Sequence, residues 1–495
     1  MYKNGLILLL FLFLASCNKI ADPEKSIEVK PNIIYILADD LGYRETGAYG
    51  QTIIKTPSID RLANEGMLFT QHYSGSTVCA PSRCVLLTGL HTGHSYIRGN
   101  YELGGYRDDN EGGQMPLPPH LPNMAKMLQD AGYVTGVIGK WGLGGPGSTG
   151  IPSKQGFDYF YGYLCQKQAH NYYPSHLWEN DHWDTLRNEY FSPHQKWDGE
   201  DIHNPEEYKK YKGVDYAMDK MGEKALAFIR DHQDEQFFLY LPFPVPHVSL
   251  QVPDVALLMY DHLEDKPYLG ERSYLPHIRP HAAYAAMITR MDHHIGNVMT
   301  LLIELDIEKN TIVMFSSDNG TTYNGGVDMA FFNSLGELSG YKTWLGEGGI
   351  RVPFIVKWPG IVEQGSITNH ISAFWDILPT IRDITDGTYP NPVDGISLVP
   401  ILTGHGDQQE KHDFLYWEYP ARGGMQAVRM GRWKAIRLNT RKEPGGPIAL
   451  YDLENDISET TDVSASHPDI VAKMEMAMST RTRAHIKEWN PEWQN

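Results

Sequence analysis

The segment Cys79-Ala80-Pro81-Ser82-Arg83-Cys84-Val85-Leu86-Leu87-Thr88-Gly89 brings a thiol and a cation together at what reads as a helix start. Pro81 suits a first helical turn, and Gly89 suits the position just past a helix end. Cys79 then falls at the amino end, where free N–H groups and the helix dipole favour an anion. By residue type alone, a small buried cysteine ahead of a core helix fits equally well. Hard oxygen donors stand in two other places, Asp39-Asp40-Leu41-Gly42 and Asp318-Asn319-Gly320. That donor set suits Ca²⁺, with Mg²⁺ second, and does not select zinc. An isolated Asp-Asp pair also fits a helix cap or a solvated turn. Gathered in one place, three carboxylates repel one another strongly without a cation.

Arg83, Lys140, His247 and Lys342 are the candidate cationic counterparts. The chain as a whole is acidic, with 43 basic against 61 acidic residues and a net charge of -18. This balance argues against nucleic acid or an anionic membrane surface as partner. It also repels an anionic substrate at long range, so such a substrate needs a local cationic pocket.

The elements that must position these groups read as alternating strands and helices. Continuous apolar runs at Asn32 to Ala38, Val134 to Lys140, Phe237 to Leu241 and Thr311 to Phe315 are of the buried parallel type. Pro122 to Ala131 reads as a helix, and Tyr284, Ile288, Met291, Ile295 and Val298 mark one helix face. The fold class is therefore α/β, a large mostly parallel sheet flanked by helices, with ligands outside the carboxyl ends of its strands. After about residue 400 the pattern changes. His412 to Trp417, Gln426 to Met430, Trp433 to Leu438 and Ile448 to Tyr451 read as strands, and His467 to Ile486 as a helix. These imply a smaller antiparallel α+β domain over 401–495, following a main domain over 31–400.

Residues 1–16 read as a signal peptide, with Lys3 ahead of an apolar run too short to span a bilayer. Leu14-Ala15-Ser16-Cys17 resembles the lipobox of bacterial lipoproteins, which implies lipidation of Cys17 and a tether over 17–30. The expectation is an exported lipoprotein, periplasmic or on the cell surface, touching the membrane through its anchor alone. With Cys17 and Cys79 modified, Cys84 and Cys165 remain, and the sequence leaves open whether they pair.

Cys79-x-Pro81-Ser82-Arg83 with Thr88-Gly89 resembles the signature of the sulfatase family, within the alkaline-phosphatase-like superfamily. Gly132 to Lys140 resembles the second sulfatase signature, and Pro246-His247 a Pro-His element. Gly340-Tyr341-Lys342 and Glu347-Gly348-Gly349 resemble later family segments. The resemblance implies that a formylglycine-generating maturation enzyme oxidises Cys79 to formylglycine. It implies one Ca²⁺ held by Asp39, Asp40, Asp318, Asn319 and the formylglycine oxygen. Lys140 and Lys342 would hold sulfate, Arg83 would steady the aldehyde hydrate, and His247 or Lys342 would protonate the leaving alcohol. One departure stands out. The family commonly has a histidine two residues after the first lysine, where this chain has Gly142, and His170 is the candidate replacement.

The implied activity is removal of sulfate from a carbohydrate. Tyr172 to Trp178 could stack on sugar rings, or simply pack as a loop. His94, Arg98 and Asn100 could read sugar hydroxyls or a second anion. A phosphodiesterase or phosphonate hydrolase of the same superfamily is the alternative activity. A glycan-binding protein without catalysis is the alternative class.

Overall fold

The computed structural model describes residues 30–389 and 392–480. At its centre, β1 (Asn32–Ala38) is apolar from Ile33 onward because both its faces are covered. Ile34, Ile36 and Ala38 enter one hydrophobic cluster, while Ile33, Tyr35 and Leu37 enter another on the opposite face. The eleven-stranded sheet continues with β2 (Met67–Tyr73), β3 (Val134–Lys140), β4 (Tyr159–Tyr163), β5 (His176–Glu179), β6 (His182–Thr185), β7 (Phe237–Pro242), β8 (Thr311–Ser317), β9 (Arg351–Lys357), β10 (Ser366–Thr368) and β11 (Ser372–Ala373). Their spatial order is β10-β2-β9-β8-β1-β7-β3-β4-β5-β6, with β11 also pairing β2. The run β8-β1-β7-β3-β4 is parallel, as the sequence predicts, while β9 runs antiparallel to β2 and β8.

The strand Arg351–Lys357 is not among those read from the sequence, and its proline is unusual in a central strand. The structure accommodates it with a register shift. Phe69 pairs Phe354 and His72 pairs Val352, so Thr70 and Gln71 bulge opposite Pro353, which has no N–H to give.

Helices cover both faces. They include α1 (Pro57–Asn64), α2 (Cys79–Thr88), α3 (Met124–Asp130), α4 (Ala217–Asp231) and the long helix Pro280–Glu304. The last buries Tyr284, Ile288, Met291, Ile295 and Val298, the face read from the sequence. The helix anticipated from Pro122 begins later, at Met124, because Asn123 caps it by accepting the Ala125 N–H. Cys79, Cys84 and Cys165 are buried and free, so Cys84 and Cys165 do not pair.

A second, antiparallel sheet is formed by β12 (Leu415–Tyr419), β13 (Met425–Met430), β14 (Trp433–Leu438) and β15 (Ile448–Asp452), in that order. Helix Pro468–Thr480 packs on it through Met474, Ala477 and Met478. The rest of the helix anticipated to Ile486, the signal peptide, Cys17 and the tether short of Lys30 lie outside the described residues. Among the described residues no helix is long and apolar enough to cross a membrane.

The two sheets are joined by a buried ion pair network. Lys434 on β14 is fully buried, with Nζ 2.9 Å from both Glu347 Oε1 and Glu459 Oε1. Glu347 also accepts the Tyr73 hydroxyl at 2.7 Å. Removing one partner of such a network strands the remaining charges. Lys434→Ala is therefore expected to lower stability by about 3–5 kcal/mol, read as a lower midpoint in urea unfolding.

Candidate active site

The site forms where neighbouring parallel strands end together. Asp39 and Asp40 follow β1, Asp318 and Asn319 follow β8, Lys140 ends β3, and His247 lies in the turn after β7. The pairing of Ala38 with Ser317 brings Asp39-Asp40 and Asp318-Asn319 side by side, and the Asp318 N–H donates to the Ala38 carbonyl at 3.0 Å. Asp40 has a φ of 67°, a left-handed conformation that a non-glycine residue holds only when its surroundings fix it. Its N–H donates to Asp318 Oδ1 at 3.1 Å. Glu45 braces the turn by accepting the Gly42 N–H at 2.6 Å and the Tyr284 hydroxyl at 2.8 Å. Nothing in the local sequence singled out Glu45, whose partners are distant.

Helix α2 begins on Cys79 and ends against Gly89 at φ 67°, as its sequence predicts. Val78 offers no capping side chain, and Asn100 Oδ1 accepts the orphan N–H of Ala80 at 3.0 Å. The Cys79 Sγ is buried beside carboxylates and lysines. It lies 3.3 Å from Asp39 Oδ1, 3.9 Å from Asp40 Oδ1, 3.5 Å from Lys140 Nζ and 3.6 Å from Lys342 Nζ.

Each carboxylate has a cation of its own. Lys140 Nζ meets Asp39 Oδ2 at 2.5 Å, and Lys342 Nζ meets Asp40 Oδ2 at 2.6 Å. Arg83 grips Asp318 Oδ2 through Nε at 3.0 Å and Nη2 at 2.8 Å, and donates from Nη1 to the Lys140 carbonyl. Burial opposes ionisation of Asp39, but Lys140, His247, Arg83 and Lys342 outweigh it and hold the carboxyl well below the usual range. Asp318 is pushed up to about 7, first by burial and then by the Asp39 charge. Burial, then Asp39, also pushes the Cys79 thiol up, so the unmodified group is a protonated and poor nucleophile.

The same pocket fits a hard cation. Ligand-capable atoms of Asp39, Asp40, Cys79 and His247 all lie within 4.8 Å of one another. Asn319 Nδ2 donates to Asp40 Oδ1 at 2.8 Å and to the Gly320 carbonyl at 2.9 Å, while its buried Oδ1 has no hydrogen-bond partner. A buried amide oxygen without a partner, on a residue already bonded to Asp40, is a hard donor of the kind an oxygen-seeking ion takes.

His247 Nδ1 lies 2.5 Å from the Val248 carbonyl, which can only accept, so Nδ1 carries the proton and Nε2 faces Asp40 Oδ2 at 3.6 Å. His170 stacks on this ring with centroids 4.5 Å apart and planes 9° apart. His194 Nε2 in turn lies 3.1 Å from His170 Nδ1. Gly142 has a φ of 77°, and a Cβ there would meet the Gln166 side chain at 2.4 Å. The backbone after Lys140 therefore favours glycine over a histidine, and the insertion carrying His170 brings an imidazole to His247. His194 and Tyr274, which also pack against His170, were not anticipated because they come from separate loops.

Other anticipated contacts fall elsewhere. Tyr172 and Tyr173 are buried in the core, with the Tyr172 hydroxyl 2.7 Å from the His247 carbonyl, so they pack rather than stack on sugar. His94 Nδ1 lies 2.8 Å from Asp394 Oδ1, and the buried Arg98 holds Glu418 on β12 at 2.7 Å. These two join the segment after α2 to later parts of the chain. Asn100 serves as the α2 cap.

A buried thiol at a helix start, with two lysines and an oxygen donor set beside it, has the chemistry to suit an anionic ester. The model of the sulfatase family matches residues 31–388, and that of the N-sulphoglucosamine sulphohydrolase C-terminal region matches 336–484. An N-acetylgalactosamine-6-O-sulfatase of Bacteroides thetaiotaomicron is 30% identical, covering 95% of this chain and 97% of its own. Human arylsulfatase H is 27% identical over 93% of this chain and 92% of its own. Among solved structures, Ps i-CgsB superposes with a TM-score of 0.74 at 27% identity, covering 94% of this chain and 95% of its own, and is also solved with k-i-k-neocarrahexaose. The chain belongs to the sulfatase family and is a sulfuric ester hydrolase.

If His170 holds His247 in place, as the stacked rings indicate, His170→Ala should lower kcat/KM at least about tenfold, a fraction of a full acid–base role. His170→Phe, which keeps a flat ring, should recover part of that loss. Near-normal kcat/KM in the alanine variant, measured on one sulfate ester, would remove this role.

Proposed function

We propose that the enzyme removes sulfate from a sugar unit of a sulfated glycan, using formylglycine made from Cys79 and one Ca²⁺ held by Asp39, Asp40, Asp318 and Asn319. The observation that carries this reading is the Cys79 side chain within 3.6 Å of both Lys140 Nζ and Lys342 Nζ and beside two carboxylates. The two lysines can grip the oxygens of one sulfate from opposite sides while the position-79 side chain faces the sulfur. The saccharide class draws support from the bacterial relative named for N-acetylgalactosamine-6-O-sulfate and from the carrageenan-type oligosaccharide bound to Ps i-CgsB.

Bound calcium and the hydrated aldehyde together supply charge neutralisation and a nucleophilic oxygen. Around them this chain's own residues do the orienting. Arg83 fixes Asp318 and, through the Lys140 carbonyl, the end of β3. Lys140 and Lys342 bind the sulfuryl oxygens, and desolvation at this buried position strengthens both contacts. Lys342 and His247, both facing Asp40, are the groups in reach of the departing alcohol oxygen and able to hold its proton. Net hydrolysis breaks the S–O bond and yields a sugar hydroxyl and sulfate.

The leader and Cys17 favour an exported, lipid-anchored enzyme, either periplasmic or on the cell surface, with maturation of Cys79 by a formylglycine-generating enzyme. The test is protein made with that maturation enzyme present. The Cys79 peptide should be lighter by about 18 Da than the cysteine form, distinct from the heavier sulfenic, sulfinic and sulfonic products. Turnover of sulfated saccharides should fall at least about 10⁴-fold in Cys79→Ala. Chelation should also abolish it, and added Ca²⁺ should restore it. Unmodified cysteine with a competent maturation enzyme, or substantial turnover by Cys79→Ala, would defeat the proposal.

A further inference from the structure

The β12–β13 hairpin carries Arg422 to the edge of the active site. Its backbone is left-handed at φ 52°, and Gly423 and Gly424 follow at φ 84° each, so the turn is shaped to project this side chain. Arg422 Nε donates to Thr343 Oγ1 at 2.7 Å and Nη2 to the Tyr323 hydroxyl at 3.1 Å. The guanidinium also lies over two rings, 4.9 Å from the centroid of Trp344 and 5.6 Å from that of Tyr323. Thr343 is the residue after Lys342, whose Nζ is 3.6 Å from Cys79 Sγ. Tyr419, three residues before Arg422, sits among the same charges. Burial raises its hydroxyl pKa to about 12, and Lys342 and Arg422 act against that rise.

Among the described residues, Arg422 has hydroxyl and ring partners but no acidic one. Arg83 and Arg98 are neutralised by carboxylates, whereas among the described residues no carboxylate lies within 4.0 Å of an Arg422 nitrogen. The residue is exposed, in a chain with 61 acidic residues against 43 basic ones. An arginine clamped by two hydroxyls and two rings has already lost much of its side-chain freedom, which lowers the entropy cost of binding. Its Nη1 edge is left to meet a planar or tetrahedral oxyanion.

We infer that Arg422 binds a second anionic group of the saccharide, a sulfate ester or a uronate carboxylate, next to the sulfate that is cleaved. This rests on the saccharide reading above and narrows it to substrates carrying two neighbouring anions. Arg422 is then a specificity-determining residue supplied by the smaller sheet, outside the machinery that acts on sulfur.

Binding separates this inference from catalysis. Calorimetric titration of the full-length Cys79→Ala protein would compare three ligands, which are N-acetylgalactosamine 6-sulfate, N-acetylgalactosamine 4,6-disulfate and the chondroitin 6-sulfate disaccharide with its uronate. At least one two-anion ligand should bind about tenfold tighter than the one-anion ligand, as expected for a charge-assisted contact. Adding Arg422→Gln should erase that preference with the unfolding midpoint unchanged, and Arg422→Lys should keep part of it. Which two-anion ligand gains identifies sulfate or carboxylate as the group read. Equal affinities, no binding by any ligand, or a preference that survives Arg422→Gln would overturn the inference. Matured wild-type protein on the same ligands reports turnover separately. Turnover without the preference sinks only the role of Arg422, whereas the preference without turnover of any sulfate ester counts against the hydrolytic reading alone.

Discussion

Three carboxylates, Asp39, Asp40 and Asp318, are buried together at the ends of two adjacent strands, and their mutual repulsion is the constraint around which the site is organised. No low-dielectric pocket tolerates that charge unaided. Arg83, Lys140 and Lys342 each take one carboxylate, and each comes from a different segment of the chain. Burial first, and then the Asp39 charge, push the Asp318 carboxyl up, as expected of an acid crowded into a dry pocket. The buried Asn319 oxygen, without a hydrogen-bond partner, is a hard donor for a further cation. A pocket so rich in balanced charge is prepared for an anionic ester, because the substrate's oxygens compete for lysines already held in position.

The balance depends on elements far from the chemistry. β9 fits between β2 and β8 only because a bulge absorbs Pro353, and the Glu347 segment that precedes it is tied to the smaller sheet by Lys434. Arg98 ties the segment after α2 to β12. The smaller sheet therefore does more than cover apolar surface. It fixes the far wall of the pocket and presents Tyr419 and Arg422 beside Lys342.

Gly142 shows how a missing family residue can be read. A histidine at that position is disfavoured by the left-handed backbone and would have to displace Gln166, yet an imidazole still packs against His247. The sequence offered His170 only as one histidine in a long insertion. Its stacking on His247 required the insertion to fold back across the end of β7. Conversely, the aromatic run at Tyr172 and the polar residues at His94 and Arg98 had the residue types of a sugar-binding surface. Each is taken up by packing or by an internal ion pair, because a residue type does not disclose the direction in which it points.

Sequence alone determined what is local or periodic. The buried parallel strands β1, β3, β7 and β8, the start of α2 at Cys79, its end at Gly89 and the long helix face through Tyr284 follow from runs of 7 to 25 residues whose chemistry is self-contained. Asp39, Asp40, Asp318 and Asn319 could be placed at the sheet's carboxyl edge because they follow buried strands, whereas Cys79, Lys140, His247 and Lys342 were picked out together by the sulfatase resemblance of their motifs. Tertiary structure decided what depends on contacts between distant segments. That includes Glu45 bracing the Asp40 turn across 239 residues to Tyr284, the stacking of His170 on His247, the unpaired Cys84 and Cys165, and the placement of Arg422 beside Lys342. A strand or a helix is specified by neighbours in the chain, whereas the partner of a buried charge or ring is specified by whichever segment the packed core brings within a few ångströms.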